Sequence, residues 1–185
     1  MFYSERLRLR AVTRADLPLF VEWFNDPQVT AYLRHGWPLA PEDEEAWFER
    51  LGHLPREERP LVIEVRRPEG WQPIGNGGLR RIHWRNRSAE VAIAIGEKDF
   101  WDQGYGTEAL SVLLHAAFDT LNLHRVWLHV QAENQRAIAA YRKLGFVEEG
   151  RLRQAEYRQG RYVDLLVMSI LRPEWARRST PGEPC

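Results

Sequence analysis

Gly104 and Gly106 flank Tyr105 within Phe100-Trp101-Asp102-Gln103-Gly104-Tyr105-Gly106-Thr107-Glu108-Ala109, just ahead of an apolar helical stripe. Two glycines at the mouth of a helix leave the first backbone amides without intrahelical acceptors and let a ligand come close to the chain. The helix dipole adds roughly half a positive charge there, so an anionic diphosphate is held without a lysine. The plainer reading of the same residues is a tight turn with a cap. Gly104, Gly106 and Ala109 also satisfy the Gly-x-Gly-x-x-(Gly/Ala) dinucleotide fingerprint, with Glu133 beyond the next strand. The context argues against a dinucleotide fold. Residues 96–103 separate the preceding strand from Gly104, and the chain ends in a hairpin instead of further parallel crossovers.

Other chemistries find little support. His83, His115, His124 and His129 show no metal-ligand spacing on one helix, and HExxH is absent, so no metal is expected. The serines lack a nucleophile elbow, which disfavours a covalent acyl-enzyme. Acidic side chains, by contrast, are concentrated at Glu42, Asp43, Glu44 and Glu45. They read as a solvated first turn compensating a helix dipole, or as an attractive rim for a cationic substrate.

The elements that must position these residues follow from periodicity. Leu7, Leu9 and Ala11 alternate with arginines, as in an edge strand with one wet face. Thr13 and Asp16 have capping-box spacing ahead of the stripe Leu17, Phe20, Val21 and Phe24, and Asp26-Pro27 stops that helix. A second helix opens at Pro41 and runs to Leu51. Period-two patterns then predict three antiparallel strands over residues 61–66, 73–83 and 88–95. A helix over 107–121, a strand over 126–130, a helix over 135–144 closed by Gly145, and two strands joined at Gln159-Gly160 complete the order. The sum is an α/β domain: a mixed, mostly antiparallel sheet with one crossover and helices available for both faces. Residues 1–171 read as a single domain. Residues 172–185, rich in Pro, Gly, Ser and Arg, read as a frayed tail.

Composition bounds the function further. The chain has 185 residues, 44% hydrophobic and 28% charged, within the globular range. Its 26 basic and 26 acidic residues cancel, so no bulk field draws it to nucleic acid or an anionic membrane. Lys98 and Lys143 are the only lysines, an arginine bias without evident site meaning. The lone Cys185 excludes an intramolecular disulfide. Charges at Glu5, Arg6, Arg8 and Arg10 rule out a signal-peptide core, and no apolar run nears the roughly 18 residues of a membrane span. A cytoplasmic protein is expected. Trp37, Trp84 and Trp175 read as exposed aromatics, so the chain is expected to be a monomer or a homodimer.

The segment Gln131-Ala132-Glu133-Asn134-Gln135-Arg136-Ala137-Ile138-Ala139-Ala140-Tyr141-Arg142-Lys143-Leu144-Gly145-Phe146 follows the glycine turn by one strand. Here the sequence resembles the Gcn5-related N-acetyltransferase (GNAT) superfamily, most closely its ribosomal-protein N-acetyltransferases of the RimJ and RimL type. The likeness runs from Leu7 to about Leu171, including Thr13-Arg14-Ala15-Asp16 and Tyr162-Val163-Asp164. It implies a GNAT fold with a splayed parallel pair of strands.

The resemblance also implies roles. The amides of Gln103, Gly104, Tyr105, Gly106 and Thr107 would hold the diphosphate of acetyl-CoA, although Trp101 stands where many members carry Arg or Gln. The strand around Ile93 and Ile95 would bond the pantetheine arm, with the amide near Ile93 polarising the thioester. Asn134 would hold pantetheine or orient the acceptor; its plainer reading is a helix cap. Arg142 and Lys143 would meet the nucleotide's outer phosphate, or are simply solvated. Tyr141 looks like the family's general acid, a phenol that returns a proton to the departing thiolate, against the plainer reading of a packed aromatic. Glu90 and Glu156 are candidates for the base, with Asp164 third and better suited to pair with Arg161. The expected activity is direct transfer of acetyl to a primary amine in a ternary complex, with a ribosomal-protein N-terminus as first choice. A polyamine, aminoglycoside or amino acid is the alternative acceptor, and a non-catalytic acyl-CoA-binding module is the alternative from another class.

Overall fold

The computed structural model describes residues 1–33 and 36–179. In chain order its main elements are β1 (Phe2–Tyr3), β2 (Leu7–Ala11), α1 (Leu17–Asn25), α2 (Pro41–Leu51), β3 (Leu61–Arg67), β4 (Gly70–His83) and β5 (Ser88–Ile95). Then follow α3 (Tyr105–His115), β6 (Arg125–Gln131), α4 (Gln135–Lys143), β7 (Val147–Arg158), β8 (Arg161–Leu171) and α5 (Arg172–Ser179). The strands are ordered β1-β2-β3-β4-β5-β6-β8-β7. The pairs β1–β2, β2–β3, β3–β4, β6–β8 and β7–β8 are antiparallel and β5–β6 is parallel, giving the expected mixed, mostly antiparallel sheet with one parallel pair. Among the described residues no helix is long and apolar enough to cross a membrane.

The chain forms two compact units. The first comprises Met1–Arg80 and Val91–Leu113, and the second Arg81–Glu90 with the described residues from Leu114 onward. In the first, Phe20 lies 5.7 Å from Trp23 and 5.8 Å from Trp47, centroid to centroid, inside a core that includes Leu17, Val29 and Val62. Two expectations for β2 are corrected. It is not an edge strand, because β1 pairs outside it, and its charged face is not wet. Arg8 and Arg10 both bond Glu64, which is 4% exposed, and Arg10 also grips Asp16 at 2.6 Å. Thr13 and Asp16 do form the capping arrangement, with the Thr13 N–H donating to Asp16 Oδ2 at 2.7 Å.

In the second unit β8 pairs with both β6 and β7, and three of β5's eight residues, Ser88, Ala89 and Glu90, pair in parallel with Arg125, Val126 and Trp127. The helix expected over 107–121 starts two residues earlier and leaves α register at His115, passing into a π turn over Ala116–Thr120. The expected tail is also corrected. Residues 172–179 are α5, because Trp175 is 6% exposed, stacked 6.1 Å from Phe118 and edge-on 4.9 Å from His115. Trp175 is therefore not a surface aromatic, whereas Trp37 and Trp84 are exposed. One bulky side chain supplies burial that the surrounding Arg, Pro and Ser conceal. Residues 180–185, with Cys185, lie outside the described residues.

Candidate active site

The glycine turn belongs to the first unit. β5 ends at Ile95, a short turn covers Lys98–Phe100, and α3 opens at Tyr105. Its first backbone bond runs from the Glu108 N–H to the Gly104 carbonyl at 3.0 Å, so the amides of Tyr105, Gly106 and Thr107 precede the helical ladder. Gly104 has φ +82°, a conformation that side chains resist. Gly106 does not, and a Cβ there would meet only Ile95 Cγ1 at 3.7 Å, an ordinary contact. The protein thus has no packing reason of its own for glycine at 106.

The segment before the turn is tied down. The Trp23 indole lies against Gly96 and donates to Glu97 Oε1 at 2.8 Å, while Lys98 Nζ meets Asp26 at 2.6 Å. The Trp101 indole N–H donates to the Ile95 carbonyl at 2.9 Å, so the departure from Arg or Gln at this position serves the end of β5. The Gln103 amide donates to the Asp99 carbonyl. Ile93 and Ile95 are half-buried on β5.

Sequence reasoning missed the partners of α3. The Ser4 hydroxyl and the Arg6 N–H donate to Glu108 Oε1 at 2.7 and 3.1 Å, and Arg6 Nε donates to Oε2 at 2.7 Å. Arg6 Nη1 also donates to the Gln103 carbonyl at 3.3 Å, and its guanidinium carbon sits 4.3 Å from the Tyr105 ring centroid. These partners lie about a hundred positions apart (sequence separations 97–104), so no local pattern announces them. Burial of Glu108 raises its pKa, but the bonds from Ser4 and Arg6 outweigh that and hold it below the usual carboxylate range.

The second unit carries the remaining candidates. Asn134 Oδ1 accepts from the Ala137 N–H at 3.1 Å, so it caps α4 as a helix reading requires. Its neighbour Glu133 is clamped by both terminal nitrogens of Arg161, and this corrects the expected Arg161–Asp164 pair. Asp164 instead accepts from the Gln154 N–H at 2.8 Å and meets Arg151 at 3.3 Å. Tyr141 is half-buried with its ring 5.7 Å from Phe146, and burial pushes its hydroxyl up to about 12. Arg142 and Lys143 are exposed; Arg142 meets Glu148 at 3.3 Å, and Arg178 of α5 donates to the Lys143 carbonyl.

Each carboxylate offered as a base has an arginine beside it. Glu90 is 2% exposed and 3.2 Å from Arg81, and Glu156 lies 3.0 Å from Arg158. In the first unit, most of the acidic run has structural duties. Asp43 accepts from the Ala40 N–H, Glu45 pairs with Arg14, and Glu44 is buried, which raises its pKa, with the neighbouring Asp43 adding to the effect. Among the described residues no group of His, Cys, Asp or Glu is arranged to hold a metal ion.

Comparison with known proteins gives this arrangement a context. Residues 6–147 match the family model of the acetyltransferase (GNAT) domain. A spermidine N(1)-acetyltransferase of Vibrio cholerae is 32% identical over 177 residues, covering 95% of this chain and 99% of the relative. The crystal structure of a spermidine N-acetyltransferase from Vibrio cholerae in complex with CoA and spermine matches with a TM-score of 0.84 at 30% identity, covering 94% of this chain and 99% of that one. A Bacillus subtilis protein with a provisional ribosomal N-acetyltransferase name is 37% identical over 97 residues, 52% of each chain. The expected likeness to ribosomal-protein enzymes thus rests on half the chain, while the spermidine enzyme runs along nearly all of it.

Proposed function

The chain belongs to the GNAT acetyltransferase family, and from that premise we propose that it acetylates a polyamine, with acetyl-CoA as donor. The observation that carries the acceptor is the end-to-end likeness to a spermidine N(1)-acetyltransferase, 95% of one chain against 99% of the other. A protein N-terminus has no comparable support, since the ribosomal-type relative covers 52%.

The amides of Gln103, Gly104, Tyr105, Gly106 and Thr107 bind the diphosphate, aided by the positive end of α3. Ile93 and Ile95 offer backbone groups to the pantetheine arm, and the amide near Ile93 polarises the thioester carbonyl. Asn134 uses its carbonyl oxygen on α4 and has its amide nitrogen for pantetheine or the acceptor. Arg142 and Lys143, exposed at the end of α4, serve the outer phosphate.

The amine nitrogen attacks the acetyl carbon, the C–S bond breaks, and the sulfur leaves as thiolate. One proton must leave the amine and one must reach the sulfur. We assign the first to Glu90, which immediately precedes the β5 residues read as holding the donor, acting directly or through water; its pair with Arg81 at 3.2 Å is no closer than that of Glu156 with Arg158 and little closer than that of Asp164 with Arg151, so its place on β5 carries the choice. Tyr141 serves the second, donating its O–H to the sulfur as the C–S bond lengthens, with water completing the protonation of the thiolate.

The test is thiol release from acetyl-CoA with spermidine, spermine, an aminoglycoside, free amino acids and N-terminal peptides of ribosomal proteins. Spermidine or spermine is expected to exceed every peptide in kcat/KM by at least about a hundredfold. Equal or better turnover of a peptide overturns the acceptor. Binding of CoA with no thiol released by any amine leaves a non-catalytic module instead. Replacing Glu90 with Gln is expected to displace the rising limb of the rate against pH, and an unmoved limb removes Glu90 as base.

A further inference from the structure

We propose that Arg6 sets the affinity of the glycine turn for its anionic ligand by masking the Glu108 carboxylate in the first turn of α3. The proposal rests on the reading of residues 103–107 as the diphosphate site.

A carboxylate in the first turn of a helix competes for the same positive end that a bound anion uses. Glu108 occupies that place here, within one turn of the amides of Tyr105, Gly106 and Thr107. Left alone it would repel a diphosphate with a full negative charge. It is not left alone, since both its oxygens are held, Oε1 by the Ser4 hydroxyl and the Arg6 N–H and Oε2 by the Arg6 guanidinium at 2.6–2.7 Å. Arg6 Nε and Nη2 converge on the single oxygen Oε2, while the Ser4 hydroxyl and the Arg6 N–H hold Oε1, so the carboxylate is fixed as well as masked.

The same guanidinium reaches the other side of the turn. Nη1 donates to the Gln103 carbonyl, Nη2 stands 3.6 Å from where a Cβ of Gly104 would be, and the carbon lies over Tyr105. Arg6 therefore touches Gln103, Tyr105 and Glu108, three of the six residues from 103 to 108, from outside the sequence segment that forms them. With Glu108 neutralised, the helix end and the free amides face the ligand with a net positive potential. Arg6 acts through Glu108 and the turn, so it is a positioning residue.

A double-mutant cycle read by calorimetric titration with CoA separates charge masking from simple bracing. Arg6→Gln is expected to weaken CoA binding about tenfold or more, and Arg6→Gln with Glu108→Gln to recover to within about threefold of wild type. Glu108→Gln alone is expected to bind CoA at least as tightly as wild type, because the competing charge is gone. Under bracing alone, Glu108→Gln weakens binding and the double variant is no better than Arg6→Gln. That pattern, or an Arg6→Gln affinity within about twofold of wild type, overturns the proposal. Glu108→Gln decides the matter even if Arg6→Gln fails to fold. Wild-type protein that takes up no CoA removes the functional reading itself, a result distinct from binding that ignores Arg6.

Discussion

Replacing Tyr141 with Phe removes one oxygen from a half-buried ring on α4 and leaves its contact with Phe146 in place. The structure decides how much activity should go with it. Burial pushes the Tyr141 hydroxyl up to about 12, whereas a thiol titrates near about 8.5. Complete transfer from the phenol to a free thiolate would therefore run uphill by about 3.5 pKa units, about 5 kcal/mol. A phenol that weak an acid stabilises the sulfur chiefly by donating a hydrogen bond as the C–S bond lengthens. A hydrogen bond to a charged partner is worth about 1.5–3 kcal/mol, which converts to a loss of about 10- to 150-fold in kcat. Affinity for CoA should stay within about twofold, because the contact strengthens only as charge develops. The raised hydroxyl also keeps its proton through neutrality, so ionisation of Tyr141 should cause no decline in wild-type kcat below about pH 11. Stopped-flow thiol release over pH 6–11, with CoA titrated separately, measures both quantities. A Phe variant within about twofold of wild-type kcat, or one whose whole loss appears in CoA binding, would refute the assignment.

Three other outcomes follow from geometry described above. Gly106→Ala is expected to lose CoA binding while its melting temperature stays within about 2 °C of wild type, since the new methyl meets only Ile95 at 3.7 Å; a matching fall in melting temperature would make the glycine structural. Trp175→Ala should lower unfolding free energy by about 3 kcal/mol in urea titrations, given the packing of Trp175 on Phe118 and His115, and a loss under about 1 kcal/mol would return α5 to the status of a loose end. Burial raises the pKa of Asp16, but the bonds from Arg10 and Thr13 prevail and hold it low in the folded state. Its contribution is therefore present above the unfolded value near about 3.9 and lost as pH falls through the folded one. Asp16→Asn should cost about 2 kcal/mol at pH 7, with the gap to wild type closing in denaturation series below about pH 4; a gap constant with pH would discount the ion pair.

Elements whose signal is local were legible in the sequence. The stripe Leu17, Phe20 and Phe24, the proline at the head of α2, the glycine turn and the Asn134 cap all appear where spacing places them. What stayed hidden depends on partners far along the chain. The alternation of Leu7 and Leu9 with Arg8 and Arg10 reads as one wet face, but Glu64, more than fifty residues on, closes that face. Arg6 counts in the sequence only as a charge against a signal-peptide core, and Ser4 carries no local signal, because their partner Glu108 lies about a hundred residues on. The π turn after His115 and the burial of Trp175 likewise come from packing, which overrides a composition that resembles a loop. For the site, the turn with Gly104 at φ +82° followed from glycine spacing, while the acceptor did not, because motifs around the donor are shared by enzymes with different acceptors, and the near full-length likeness to a spermidine enzyme favours the polyamine alternative.

The grip of Ser4 and Arg6 on Glu108 spans 104 and 102 positions of chain. During synthesis at about 5–20 residues per second the amino-terminal arm emerges some 5–20 s before its carboxylate exists. Until then the arginine has nothing to hold, and the turn cannot reach its final electrostatic state before the first half of the polypeptide has been made. The contact between Arg6 and Glu108 is thus a late event in the life of a nascent chain, formed only once α3 has been made.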